Sequence, residues 1–315
     1  MERGKSFKLL ICTDGSAEAM RGMRYGAKLG KGIGAEITIF HVCKGGEDDP
    51  ENRDRELVAV GAMEEKFGSR SLGMSIPEIR YLEEARLGLI AHGWMAEDWS
   101  AEQGGNFDGD LFGDFQITHR GPGGEVINLK LKQGRNAAGE ILDEIENGGY
   151  NLVIIGASKR SGLSRIFLSS EVQKVVVHAQ CSVLVARELE AGHGHLVGLD
   201  GSEEAYVMMH KDVMLASRCS CPVSLMSVAR RPQDESKAIR IVEEGQRILK
   251  SFGLGAAEIK TAIGDPVEEL IKYGRNYSVI VLNGKGQSGL KKRFFMGGTV
   301  FNVVIAAENS VMVVR

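Results

Sequence analysis

The chain alternates short, continuously apolar runs with longer segments in which apolar residues recur every three or four positions. In the first half, 8–14 (KLLICTD) reads as a strand. Residues 17–31 (AEAMRGMRYGAKLGK) read as a helix capped by Ser16, with Met20, Met23, Ala27 and Leu29 along one side, and 35–43 (AEITIFHVC) as a second strand. After a long polar stretch come a strand at 125–131, a helix at 136–148 that groups Ile141, Leu142 and Ile145, a strand at 151–156, a helix near 169–179 and a closing strand at 182–187. The second half is terser: strand 195–200, helix 203–217, strand 222–229, helix 235–252, strand 257–262, helix 265–274, strand 277–283, helix 298–307 and strand 310–315. Apolar strands separated by amphipathic helices predict parallel sheets covered on both faces, an α/β architecture.

The order of elements repeats because the sequence does. KLLICTDGSA at 8–17 answers HLVGLDGSEE at 195–204, so that each first strand ends in Asp-Gly-Ser, at Asp14-Gly15-Ser16 and Asp200-Gly201-Ser202. LVIIGASKRSGL at 152–163 answers VIVLNGKGQSGL at 279–290, and CSVLVAR at 181–187 answers SVMVVR at 310–315. Three anchors in one order predict two domains in tandem, 1–190 and 191–315, joined by the short linker 188–194 and packed as a pseudo-symmetric pair. The first carries an insertion at about 45–122, with a helical part near 50–68. Between 97 and 114 stand Glu97, Asp98, Glu102, Asp108, Asp110 and Asp114 without a Lys or Arg, and glycines crowd on to Gly124. Such a composition predicts an ill-ordered or lid-like stretch over 97–124. Trp94 and Trp99, beside Leu89, Ile90 and Met95, are either the apolar body of an extra helix or a patch that covers a groove.

Composition narrows the function classes. A chain of 315 residues, 43% hydrophobic and 26% charged, suits two ordinary domains, and a net charge of -3 gives no overall electrostatic footprint for nucleic acid or an anionic membrane. Five scattered cysteines form no disulfide framework, no apolar run reaches membrane-spanning length, and the N-terminus lacks a signal-peptide pattern, so a cytoplasmic location is expected.

Candidate chemistry gathers where strands end, which is where open α/β sheets bind ligands. Asn283-Gly284-Lys285-Gly286-Gln287-Ser288-Gly289, followed by Lys291-Lys292-Arg293 and by Gly297-Gly298-Thr299 entering a helix, reads either as an anion cradle or as a glycine-rich turn with a solvated basic face. It matches neither a Walker loop nor GxGxxG. In each Asp-Gly-Ser, the Ser caps a helix and the Gly permits a turn, while the Asp either holds nearby backbone or receives a nucleoside. The DGDLFGD run at 108–114 lacks the oxygen spacing of an EF-hand, and Cys219-Ser220-Cys221 and His193-Gly194-His195 lack structural-zinc spacing. No nucleophile elbow, HExxH or glycosidase acid pair is present.

These same residues carry a family resemblance. Each half resembles a universal stress protein domain: a strand ending in Asp-Gly-Ser, a second strand near Phe40-His41-Val42, a glycine before the next helix (Gly134, Gly264), the glycine loop, and a last strand of Cys/Ser-Val-Leu/Met-Val form. The resemblance covers about 1–44, 124–187 and 195–315. It implies two doubly wound, Rossmann-like open parallel sheets with strand order 3-2-1-4-5 in tandem. ATP-binding members of that family carry Gly-x-x-Gly followed at a fixed spacing by Gly-Ser or Gly-Thr, with the first-strand Asp near the nucleoside. By that implication Asp200 faces the nucleoside, Asn283 takes the first glycine position, Gly284, Gly286 and Gly289 wrap phosphates, and Gly298 and Thr299 hold the terminal phosphate. Asp14, Gly156, Ser169 and Ser170 are the degenerate counterparts, with Lys159 where the second glycine belongs and Lys159-Arg160 available to some other anion. The implied ligand is ATP, ADP or AMP, with or without Mg. The implied role is non-catalytic regulation of a protein partner, with at most slow ATP hydrolysis. The rival reading is a scaffold that uses the acidic insertion as its interaction surface, and a hydrolase completed by that insertion is a third. Neither nucleic acid nor membrane is an expected partner, and the tandem serves as an intramolecular pseudo-dimer or pairs again as a homodimer.

Overall fold

The computed structural model describes residues 6–43, 76–104, 115–157, 168–187, 194–284 and 296–315. Its first half contains β1 (Lys8–Cys12), α1 (Ala17–Ile33), β2 (Glu36–Cys43), α2 (Ile76–Ala91), β3 (Ser100–Gly104), β4 (Phe115–Arg120), β5 (Val126–Gln133), α3 (Ala137–Gly148), β6 (Leu152–Gly156), α4 (Ser170–His178) and β7 (Ser182–Ala186). The second contains β8 (His195–Gly198), α5 (Glu203–Arg218), β9 (Val223–Ala229), α6 (Glu235–Ser251), β10 (Glu258–Ile263), α7 (Pro266–Gly274), β11 (Val279–Asn283), α8 (Gly298–Ala306) and β12 (Ser310–Val314). The strands form one sheet in the order β10-β9-β8-β11-β12-β7-β6-β1-β2-β5-β4-β3. Each half contributes a 3-2-1-4-5 arrangement, β5-β2-β1-β6-β7 and β10-β9-β8-β11-β12, and every pairing inside these units is parallel. Among the described residues no helix is long and apolar enough to cross a membrane.

The halves join through an antiparallel pair, with Val311 opposite Val185, Met312 opposite Leu184 and Val313 opposite Val183. Arginines then exchange across this seam. Arg187, following β7, donates from its guanidinium to Asn309 O at 3.2 Å and to Val304 O in the last turn of α8, while its backbone N–H donates to Ser310 Oγ at 2.9 Å. Arg315, following β12, donates to Val176 O at 2.6 Å, Val177 O at 3.2 Å and Cys181 O at 3.3 Å, and its backbone N–H donates to Ser182 Oγ at 3.1 Å. Each half therefore caps the C-terminal turn of a helix in the other. Burial pushes the Arg187 guanidinium down to about 10.

A second polar link crosses the same boundary. His195 Nδ1 lies 2.9 and 3.1 Å from the two carboxylate oxygens of Asp212, and its Nε2 is 2.8 Å from the Tyr25 hydroxyl of the first half. Burial alone would lower the His195 imidazole, but the charge and hydrogen bond of Asp212 outweigh it and hold the group above its ordinary value.

The stretch 45–122 is less uniform than its composition suggests. The helix expected near 50–68 lies outside the described residues, and the described helix is α2. Leu82, Ala85 and Leu89 of α2 are buried as Val242, Gly245 and Leu249 of α6 are. Tyr81 lies over Gly15 just as Ile241 lies over Gly201. The helix thus takes the crossover place that α6 holds in the second half, so the repeat continues into the supposed excursion. Residues 97–124 were expected to be ill-ordered or lid-like, but β3 and β4 pair antiparallel onto β5 and extend the sheet. Glu102, the one acid in these strands, is tolerated because it stands at the sheet edge, where it meets Arg120 at 3.6 Å beside solvent. Leu89 and Ile90 lie on α2, and Trp94 and Trp99 follow it and pack against the core, with Trp99 over Gly121. Residues 105–114 lie outside the described set. His119 of β4 is buried, and among the described residues neither ring nitrogen has a hydrogen-bond partner.

Two measurements check this packing. Replacing Arg187 with Ala leaves the carbonyls of Val304 and Asn309 without their donor, and should lower the free energy of urea unfolding by about 2–4 kcal/mol. An unchanged urea midpoint would show that the cap contributes nothing. Burial, reinforced by the nearby Arg86 charge, lowers the His119 imidazole below its usual 6.5. The unfolded chain therefore binds this proton more readily, so the contribution is complete above the unfolded value and is lost as pH falls through the folded one. His119→Leu should remove that part of the pH dependence, seen as a stability difference between wild type and variant that is constant above neutrality and shifts in the variant's favour in mild acid.

Candidate functional site

Both Asp-Gly-Ser turns sit at strand carboxyl ends and are built alike. Gly201 has φ 82°, a left-handed backbone that favours glycine, and the Ser202 side chain accepts from Ala205 N–H to start α5. Asp200 Oδ1 accepts from Ser202 N at 3.0 Å and from the Ser202 hydroxyl at 2.6 Å. In the first half, Gly15 has φ 75°, Ser16 caps α1 and Asp14 Oδ1 accepts from Ser16 N at 3.0 Å. The turn-and-cap reading therefore holds at both places, and each carboxylate also borders a cavity.

The second-half cavity has a volume of about 550 Å³, within the range of small-molecule sites. It brings together Asp200, Asn283, Gly298 and Thr299. Gly284 stands outside the lining, and its N–H donates to Val314 O at 2.9 Å. Gly286 and Gly289 lie outside the described residues. Sequence reasoning missed the cations that the end of β9 and the start of α6 add to the wall, namely Arg230, Arg231 and Lys237. Arg231 is held by Asp234 at 3.1 Å and Arg230 approaches Asp265 at 4.0 Å. The N-cap of α8 is Gly297, which offers no side-chain cap, so the first amides of this helix face the cavity without one.

The first-half cavity, about 590 Å³, brings together Asp14, Gly156, Ser169 and Ser170, with Thr13, His41 and Glu171. Gly156 has a packing reason to be glycine, since a Cβ there would stand 2.6 Å from Ala19 N at the start of α1. His41 lies 2.6 Å through Nδ1 from Thr13 O and meets Tyr81 edge-on at 5.2 Å. Lys159 and Arg160 lie outside the described residues.

The two cavities differ most at the helix that opens into each. Ser169 Oγ accepts from Val172 N–H at 3.3 Å and caps α4, and the Ser170 hydroxyl donates to Glu171 at 3.0 Å. Hydrogen bonding to its own backbone amide, and then to Ser170, holds the Glu171 carboxyl below its ordinary range. Val175 and Val176 of α4 are buried as Val303 and Val304 of α8 are, which sets Ser169-Ser170-Glu171 against Gly297-Gly298-Thr299. That register moves by one residue the match of Ser169-Ser170 with Gly298-Thr299 drawn from sequence. Glu171 therefore stands where the second half has Thr299, and the first cavity carries its own anion at the helix N-terminus. Among the described residues no cluster of three or more His, Cys, Asp or Glu could hold a metal ion.

Two doubly wound α/β units in one chain, each with a cleft at its strand carboxyl ends between an Asp-Gly-Ser turn and a helix N-terminus, define a duplicated Rossmann-like protein. The chain belongs to the universal stress protein family, whose model matches residues 6–187 and 195–315. A universal stress protein from Archaeoglobus fulgidus DSM 4304 superposes with TM-score 0.63 at 15% identity, over 99% of this chain and 99% of its own. A putative universal stress protein from Pseudomonas aeruginosa UCBPP-PA14 gives 0.62 at 13% identity, over 98% of this chain and 92% of its own. At these identities the likeness is one of fold. A shorter relative, solved in complex with cAMP, aligns with 39% of this chain at 20% identity and TM-score 0.32. No curated protein matches the sequence significantly.

Proposed function

We infer that the second-half cavity binds ATP or a related adenine nucleotide, ADP or AMP, and that the chain is a nucleotide-responsive regulatory protein of the cytoplasm rather than an enzyme. The observation that carries this reading is the exchange of Glu171 for Thr299. A phosphate at the start of α8 meets helix amides without a side-chain cap, a hydroxyl and a nearby cationic wall, whereas one at the start of α4 meets a carboxylate. On this reading Asp200 receives the ribose or base, Asn283 and Gly298 border the phosphates, and Thr299 donates to the last of them. Arg230, Arg231 and Lys237 offset the ligand's charge, and Gly286 and Gly289, which the family resemblance assigns to the phosphates, lie outside the described residues. Asp14, Gly156, Ser169 and Ser170 line a first-half cavity that no longer accepts a polyphosphate. The functional division falls between 190 and 191, so that one half senses nucleotide and the other completes the fold. To signal to a protein partner, occupancy must favour one of two conformations by differential affinity.

Calorimetric titration with ATP, ADP and AMP tests the assignment. The wild type should bind at least one of them in the micromolar range. Thr299→Glu, which copies the first half, should weaken binding by about two orders of magnitude, and Asp200→Ala should weaken it less. Asp14→Ala should leave it unchanged. Absence of binding below millimolar concentration, or equal affinity in Thr299→Glu, would overturn the reading.

A further inference from the structure

The seam between the halves holds a third cavity of about 490 Å³, away from both Asp-Gly-Ser turns. Phe7, Leu152, Met312 and Val314 form its floor, and Ile33 and Leu215 rise beside them. Its existence follows from a difference between the two repeats. On α1, Gly22, Gly26 and Gly30 let the helix lie directly on the sheet. A Cβ at Gly26 would stand 2.6 Å from Ile11 Cδ1, and one at Gly22 would stand 3.0 Å from Ala186 Cβ. At the matching places α5 carries Met208, Asp212 and Ala216, and Val314 stands where Ala186 does. Side chains in place of hydrogen atoms hold α5 away from β12, and the seam stays open on that side.

The side-chain charges around the opening are mainly cationic, Lys211, Arg218 and Arg315 against the buried Asp212. Lys211 and Arg218 border it, and among the described residues neither pairs with an Asp or Glu side chain; the Lys211 ammonium reaches the Arg315 main-chain oxygen at 3.4 Å. Asp212 is the one Asp or Glu among the lining residues, and His195 engages both of its oxygens. His210 adds a ring nitrogen, its imidazole set against Phe252 with centroids 4.2 Å apart. A neutral apolar compound would leave these cations unused, a cation would be repelled, and a small hydrophilic anion would leave the floor to water. We propose that the seam cavity binds a compact amphipathic carboxylate, its apolar body on Phe7, Leu152, Met312 and Val314 and its carboxylate at Arg218 and Lys211. The site does not depend on the nucleotide reading.

The test uses decanoate, with decanol and decyltrimethylammonium as its neutral and cationic counterparts, on the full chain. Binding is read by calorimetry and by the methyl NMR signals of Met214 and Met312, both of which line the cavity. Decanoate should bind in the micromolar range and shift these two signals, and decanol should bind at least about tenfold more weakly. Arg218→Glu, an exposed change that the fold should accept, and Leu215→Trp, which fills the space, should each reduce decanoate affinity by at least about tenfold. Nucleotide affinity, where present, should stay the same in both variants. Equal binding of decanol would reduce the site to an apolar patch. Methyl shifts elsewhere, unchanged affinity in Arg218→Glu, or no binding below millimolar concentration would overturn the proposal.

Discussion

β7 and β12 are each the last strand of their half, and in a separate half each would end as an open edge with a row of unpaired N–H and C=O groups. Pairing them antiparallel closes both edges at once and makes one continuous sheet from two parallel units. The last turns of α4 and α8 then lie beside the seam, with carbonyls within reach of the opposite half's closing strand. Arg187 and Arg315 donate to those carbonyls. A guanidinium with several N–H donors can serve the last carbonyls of a helix and sits favourably at the negative end of its dipole, which allows Arg187 to be almost wholly buried with no carboxylate paired to it among the described residues. Because the two arginines are equivalent residues of the repeat, the arrangement is nearly two-fold symmetric.

Within that symmetric frame the halves have diverged at paired positions. In the first half α1 lies close on β1 through apolar contacts, Gly26 over Ile11 and Gly30 over Leu9, and at the positions matching Leu9 and Gly26 the second half carries His195 and Asp212. Either polar residue alone would be a buried, unpaired group, and together they satisfy each other and reach Tyr25 of the other half. The loss of the glycine stripe from α5 belongs to the same divergence, since a helix carrying Asp212 and Met208 on its inner face cannot lie as close to the sheet as one carrying glycine.

Much of the fold was legible because it rests on signals that travel along the chain: apolar strand runs, Asp-Gly-Ser turns and the repeated last strand place most elements within a residue or two of where they lie. What escaped depended on neighbours in space. The buried positions of α2, Leu82, Ala85 and Leu89, have helical spacing, yet Leu87 is exposed on the same helix and blurs the pattern. β3 and β4 were hidden because the acids and glycines of the segments around them set the composition of the stretch, and only the unsatisfied edge of β5 explains why they pair. At the candidate sites Asp200, Asn283, Gly298 and Thr299 could be gathered from their order in the repeat. Glu171 could not, because its meaning depends on the register of α4 against α8, which buried valines fix and glycine counting does not.

Duplication inside one chain explains why such divergence can persist. In a dimer of identical subunits every substitution appears twice: a Glu at the start of the helix would fill both clefts, and removal of the glycine stripe would loosen both sides of the seam. A covalent tandem separates these consequences. One cleft can lose its anion site while the other keeps it, and one helix can stand off the sheet while its counterpart stays close and holds the core together. The shared β7–β12 pair and the reciprocal arginine caps constrain only the seam, so the surfaces at the strand carboxyl ends and along α5 are free to change as long as that seam is kept.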